Sequence, residues 1–208
     1  MDRNLGATSA TPGDIGAFGL LYQWGRKDPF MGTCAKSEST LAASTGSWNV
    51  TSSDNMDFAV ENPMTFATGW YGGGVAGEGW LTSESEKGLY DPCPVGYRVP
   101  DGGENGFWAT ALGTSRVTSA GTEWDSANYG RHWTLADGTT TAWYPAVGYR
   151  YYDSGALSNV GSYGCYWSAS PHPSSSHYAY NLYFYNGNVY PANNFNRSYG
   201  YSVRCVRE

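Results

Sequence analysis

The chain has 208 residues, enough for one domain that buries roughly 70% of its unfolded surface. It carries 9 Trp, 18 Tyr and 7 Phe against 22 Leu, Ile and Val, with 28 Gly, 14% charged residues and a net charge of −6. A core richer in rings than in branched aliphatics, and cut by that much Gly, excludes a helix bundle and a doubly wound α/β enzyme; the ring content excludes disorder; and three lysines (Lys27, Lys36, Lys87) in an acidic chain leave no basic stripe for nucleic acid.

Met1-Asp2-Arg3 opens without a basic-then-apolar leader, so the chain reads as an excised domain. Thr11-Pro12-Gly13-Asp14 is a helix start with Asp14 as cap. Ile15, Phe18, Leu21 and Tyr22 then recur at helical spacing and predict a helix over 14–26, against which Gly16, Gly19 and Gly25 each cost up to ~1 kcal/mol. Residues 30–90 show turn punctuation without a period, and Gly72-Gly73-Gly74 reads as a loop or a close backbone approach. A second helix is predicted over 103–112, with Phe107, Trp108, Ala111 and Leu112 as its apolar face and Gly113 as its stop. From Thr114 onward the pattern is strands and turns: 143–150 with Pro145 at a bulge or edge, 164–170, 179–185 and 200–206. Asn186-Gly187 between two alternating runs predicts a hairpin. The order is α+β in one domain, 1–208, with Trp24, Trp70, Trp80, Trp108, Trp133, Trp143 and Trp167 expected inside. No apolar run approaches the ~18 residues of a membrane-spanning helix.

Four cysteines, Cys34, Cys93, Cys165 and Cys205, lie far apart with no C-x-x-C, which excludes zinc-knuckle and redox motifs. An even count in a Lys-poor, Gly/Tyr/Ser-rich chain points to disulfides and an oxidising compartment; four buried thiols are the alternative. Asn49-Val50-Thr51 and Asn196-Arg197-Ser198 match the glycosylation acceptor pattern, which is common by chance.

Charge divides unevenly. Residues 1–160 hold 17 acids and 9 bases, whereas 161–208 hold only Arg197, Arg204, Arg207 and Glu208, together with nine of the Tyr and many Asn and Ser. If Leu182 and Phe184 point into the core, Tyr183 and Tyr185 point outward. Val203 and Cys205 go in, and Tyr201 shares their parity. With Tyr190, Phe195, Tyr199 and the run 174–178, the outward surface is Tyr, Ser, Asn and His, the alphabet of antibody paratopes. Such a ring-rich, nearly uncharged surface reads as a binding face, although Tyr also favours strands for packing alone.

Met1 to Ala7, Gly19 to Arg26, Cys93-Pro94-Val95-Gly96-Tyr97-Arg98-Val99-Pro100, Tyr166-Trp167-Ser168 and Ser202 to Arg207 occur in this order. They resemble the major-paralogous (FISUMP-type) domain of gut bacterial surface proteins, which is similar in fold to C-type lectins and to the formylglycine-generating enzyme domain. The segment 166–207 further resembles the variable region of diversity-generating retroelement proteins, in which adenines of template codons, above all the Asn codon, are randomised. The framework reads Ala179-Tyr180-Asn181-Leu182, Phe184, Val189, Pro191, Arg197, Gly200 and Ser202 to Arg207. Between lie His172, Ser176, His177, Tyr178, Tyr183, Tyr185, Asn186, Asn188, Tyr190, Asn193, Asn194, Phe195, Asn196, Ser198, Tyr199 and Tyr201, each Asn or a product of its randomised codon, with no Lys, Glu, Thr or Gln among them.

The resemblance implies a C-type lectin-like fold with two helices, a small antiparallel sheet and much irregular loop. It implies a display protein at a bacterial cell surface or phage tail, with the interleaved positions as ligand-binding residues for a protein or glycan. Cofactors, metal, nucleic acid, membrane insertion and catalysis are not expected. From the family motifs it implies a Cys93–Cys205 disulfide, leaving Cys34 and Cys165 as a second pair. The alternatives are a carbohydrate adhesin of fixed specificity and, more distantly, a formylglycine-generating-type enzyme. No nucleophile–base pair is legible: His132 stands beside Trp133, codon randomisation accounts for His172 and His177, and Asp101, Glu104, Glu123, Asp125 and Asp137 are spread through loops. The Glu-Pro-Asn and Trp-Asn-Asp triplets of calcium-dependent lectins are absent; Glu61-Asn62-Pro63 has the residues in another order. Oxygen-rich loops such as Asp101-Gly102-Gly103-Glu104-Asn105 could hold a structural ion.

Overall fold

In the computed structural model Asp14 caps a turn, as its context predicts: its carboxylate accepts the Gly16 N–H at 2.9 Å. The turn is a three-residue 3₁₀ helix, Ile15–Ala17, and goes no further. Gly19 sits at φ +71°, where an added Cβ would lie 2.7 Å from the Leu5 carbonyl oxygen, and the chain leaves it as a strand. The helix expected over 14–26 is therefore absent, and Phe18, Leu21 and Tyr22 bury themselves around an extended segment instead. The second expected helix shrinks to six residues, Phe107–Leu112. Gly106 supplies no side-chain cap at its start, and Gly113 at φ +68° ends it as expected. A further six-residue helix, Met56–Glu61, is capped by Asn55 in the stretch that shows no period.

The structure describes residues 1–33, 35–37, 40–42, 50–71, 79–81, 86–134, 137–139 and 141–208; the glycine run 72–74, Asn49 and Cys34 lie outside them. Eight strands make the main sheet: β1 (Leu20–Gln23), β2 (Phe30–Met31), β3 (Tyr149–Arg150), β4 (Leu157–Ser158), β5 (Gly164–Pro171), β6 (Tyr178–Phe184), β7 (Val189–Asn196) and β8 (Gly200–Ser202). Their order is β4-β3-β8-β5-β6-β7, with β1 also paired to β8 and β2 to β1. All pairs are antiparallel except β5 with β8, which meet in parallel at Tyr166 and Ser202. A three-stranded sheet follows the order Thr141–Pro145, Gly130–Thr134, Thr122–Asp125. Among the two-stranded ladders, Tyr97–Arg98 pairs with Val206–Arg207.

The described chain is thus sheet and loop, with two six-residue helices and several sheets, one of eight strands. This corrects the expectation of an α+β, C-type lectin-like fold built on two helices and one small sheet. The physical reason is glycine at helix-breaking positions, which converts helical spacing into turns and short strands.

β5 lies between two core clusters. Tyr166 joins Trp108, Trp133, Tyr144, Leu182, Phe184 and Val189, while Cys165 and Trp167 join Trp24, Trp80, Val99, Tyr201 and Val203. All seven tryptophans expected inside are buried. Five indole N–H groups find acceptors: Trp24 donates to the Ser168 carbonyl, Trp70 to Trp24, Trp80 to Arg26, Trp167 to Tyr22, and Trp108 to the Tyr144 hydroxyl. Those of Trp133 and Trp143 have no partner.

The Cys93–Cys205 disulfide forms, tying the loop before the second helix to the chain after β8. Cys165 is a free thiol buried in the core, so the second bridge is not made by it. Buried arginines serve the loops. Arg26 donates to the Thr65 carbonyl at 2.8 Å, Arg150 to Met31 at 2.8 Å and Gly155 at 2.6 Å, and Arg204 to Trp143 at 2.8 Å while lying over the Tyr144 ring. Among the described residues no helix is long and apolar enough to cross a membrane.

Candidate functional site

β6 and β7 form the hairpin that Asn186-Gly187 predicts, closed by a Tyr185 N–H to Asn188 carbonyl bond at 3.1 Å. Leu182 and Phe184 point into the core, so Tyr183 takes the other face. There its ring lies 5.4 Å from that of Tyr190, its cross-strand partner, and 6.2 Å from Phe195. Phe195 meets Tyr199 at 5.5 Å, and Tyr199 meets Tyr149, Tyr151 and Tyr152 at 5.5, 5.6 and 5.2 Å. Tyr163 closes the other flank, 5.6 Å from Tyr183 and 6.0 Å from Tyr185. Most of these rings meet edge-on or tilted, as their quadrupoles favour. The result is one continuous aromatic face.

Burial pushes the Tyr183 and Tyr199 phenols up, with Tyr163 adding to the first and Tyr151 to the second. Asn188, then Tyr190, hydrogen-bonds the Tyr185 phenol and holds it below its ordinary value; the Tyr185 contact raises Tyr190.

The sixteen interleaved residues do not all share this face. Tyr183, Tyr185, Tyr190, Asn193, Phe195 and Tyr199 do, with Asn186 and Asn188 in the turn beside them. Asn194 and Asn196 are out of phase with Asn193 and Phe195 and take the opposite side of β7, across from Tyr180 and Tyr178. His172, Ser176, His177 and Tyr178 sit at the far end of the hairpin, where His177 stacks on Tyr71 at 3.9 Å. Ser198 and Tyr201 are corrections. Ser198 is 0% exposed and its hydroxyl donates to the Trp70 carbonyl at 2.7 Å; Tyr201 is 1% exposed and stacks on Trp167 at 4.4 Å. Tyr201 follows the inward parity of Val203, and Ser198 sits in a turn where parity says nothing. Sequence reasoning misses Tyr149, Tyr151, Tyr152 and Tyr163 as site residues. The signal is the Tyr149-Arg150-Tyr151-Tyr152 run, which reads on its own as a strand and its continuation.

Reaction chemistry is sparse. Asp101 is engaged by Arg98 through both carboxylate oxygens, and His132 lies 3.1 Å from Asp125 in an exposed pair. The described residues contain no group of three or more His, Cys, Asp or Glu able to hold a metal. A recess of about 370 Å³ lies apart from the aromatic face, lined in part by Phe107, Trp108, Trp133, Trp143 and Arg204.

Fold and site together define a sheet-and-loop domain that presents a ring-rich, nearly uncharged face. A family model described as a domain of unknown function (DUF8237) matches residues 120–206, so the chain is similar to that family from the three-stranded sheet to its last strand. No curated protein and no solved structure matches the chain.

Proposed function

We propose that this is an extracellular ligand-binding display protein of the retroelement variable type, with a diversified surface in its C-terminal segment that engages a macromolecular ligand and catalyses no reaction. The observation that carries the reading is the separation of two residue sets along one hairpin. Fourteen of the sixteen Asn-codon positions are at least partly exposed, while of the hairpin's framework residues Ala179, Asn181, Leu182, Phe184, Val189 and Pro191 are buried and only Tyr180 is partly exposed. Exposed Tyr and Asn on a rigid hairpin supply contact area and adaptable hydrogen bonding at low entropic cost. A formylglycine-type reaction would need a reactive cysteine pair, but Cys93 and Cys205 are bridged and burial pushes the Cys165 thiol up.

The test is genetic. Sequencing this gene across a population should reveal adenine-directed substitutions confined to codons 172–201, with a template repeat and a reverse transcriptase gene alongside. Uniform codons and an empty neighbourhood would refute diversification. The carbohydrate-adhesin reading draws on the part of the aromatic face that lies outside the interleaved set, namely Tyr149, Tyr151, Tyr152 and Tyr163. Glycan-array binding of the purified domain with invariant codons would establish it instead.

A further inference from the structure

Within the aromatic face is a cleft of about 60 Å³, lined by Tyr149, Tyr163, Tyr183, Phe195, Tyr199 and Tyr201 above the thiol of Cys165. We infer that this cleft receives the ammonium end of a lysine side chain from a protein ligand, caged by these six rings and drawn in by Asp153 at their margin. The inference rests on the display reading, because it names what the displayed face holds.

Three observations converge. First, the lining carries no charged residue, and six aromatic residues border one small volume. Ring faces are electronegative, and a cation close to several of them is attracted most where water is excluded. Second, the charge at the margin has the complementary sign. Asp153 is exposed, follows Tyr151-Tyr152, and acts electrostatically on both Tyr151 and Tyr199. Arg150, the neighbouring cation in the chain, is turned away and bonded to the Met31 and Gly155 carbonyls. Burial first, then the neighbouring phenols and Asp153, disfavour a phenolate at Tyr199; of these the Asp153 charge is the one that also opposes an anionic ligand. Third, size discriminates. A void of about 150 Å³ is what benzene fills, so a 60 Å³ cleft excludes a sugar ring but admits a methylene and its ammonium. The long, flexible lysine stem would then lie along the partly exposed rings of Tyr185 and Tyr190 or of Tyr151 and Tyr152.

The experiment is an NMR titration of the ring-labelled tyrosines with Nα-acetyl-lysine N-methylamide, its Nε-acetylated counterpart and simple methyl glycosides. The lysine derivative should shift the Tyr149, Tyr163, Tyr183 and Tyr199 signals saturably and bind about 5-fold or more tightly than the acetylated form, which lacks the charge. Asp153→Asn, an exposed substitution that spares the core, should weaken lysine binding about 2-fold, the scale of a surface charge pair, and Tyr199→Leu should abolish it. Equal binding of the two lysine forms, no saturable shift, or glycoside binding at these rings would overturn the proposal. Codon variation in the gene without lysine binding would remove the cage and leave display standing. Lysine binding with invariant codons would do the reverse.

Discussion

Phe184→Ala tests the claim that the hairpin is built from an inner and an outer row. Phe184 is 0% exposed, meets the Trp133 ring edge-on at 5.6 Å and the Tyr166 ring face at 6.1 Å, and its ring fills the space above Gly164 that a Cβ would need. An aromatic side chain buries roughly 150–250 Å², which at ~25 cal/mol/Å² is about 4–6 kcal/mol, and alanine regains only a small part. The cavity cannot collapse easily, because its walls are a glycine backbone and two large rings held in other contacts. The expected cost is therefore ~3–5 kcal/mol, a large share of a domain's usual ~5–15 kcal/mol. Tyr183→Ala, one residue earlier and half-buried on the opposite face, should cost about 1–2 kcal/mol. Urea unfolding followed by tryptophan fluorescence measures both, with an unchanged slope as the check that only stability has moved. If Phe184→Ala costs under ~1 kcal/mol, or if the two variants are equally destabilised, the two-row reasoning is wrong.

Reducing the Cys93–Cys205 bridge, or replacing both cysteines by Ala, frees a 112-residue loop and should cost ~5 kcal/mol in the chain-entropy account; a fall in the urea midpoint reports it, and no fall refutes it. Alkaline titration should be split. Burial raises the phenols of Tyr22, Tyr166 and Tyr201, so between their ordinary value near 10 and their folded values the unfolded chain binds fewer protons. Their contribution is intact below pH ~10 and falls above it by up to ~1.4 kcal/mol per pH unit per phenol. Absorbance at about 295 nm, where phenolate absorbs, should show exposed tyrosines ionising first and the buried ones only with unfolding; one reversible step for all would contradict this. Ser198→Tyr should destabilise by ~3 kcal/mol or more, through overpacking and loss of the bond to Trp70, whereas Asn194→Tyr should stay within ~0.5 kcal/mol. At ~2–4 °C per kcal/mol for a chain of this size, the melting temperature separates them.

The hairpin is legible in the sequence because its signals are local. Asn186-Gly187 dictates a turn, and the period of two puts Leu182 and Phe184 on one side and Tyr183 on the other. The tryptophan core is legible for a similar reason: so large an apolar ring gains more from burial than any local backbone preference can oppose. The helix expected over 14–26 fails because spacing and glycine content disagree. Ile15, Phe18, Leu21 and Tyr22 fit a helical stripe, but Gly19 at positive φ packs against the Leu5 backbone, a long-range contact with no local signature. The site is only partly readable. Tyr149 and Tyr199 are fifty residues apart in the chain and meet because β3 lies beside β8, a pairing that sequence periodicity does not specify. The inward position of Ser198 escapes a sequence reading because its burial depends on the carbonyl of Trp70, far away in the chain.

The donors that hold the hairpin reach for main-chain oxygens. Arg197 donates to the Tyr178 carbonyl at 3.0 Å and, through its own N–H, to that of His177 at 2.9 Å. Arg131 donates to the Asn186 carbonyl at 3.1 Å, and Gln23 to that of Ser198 at 2.8 Å. Every amino acid brings the same carbonyl, so these bonds take no account of which side chain stands above them. At His177, Tyr178 and Asn186 the support is blind to residue identity, and one backbone can carry many different side chains there without renegotiating its attachments.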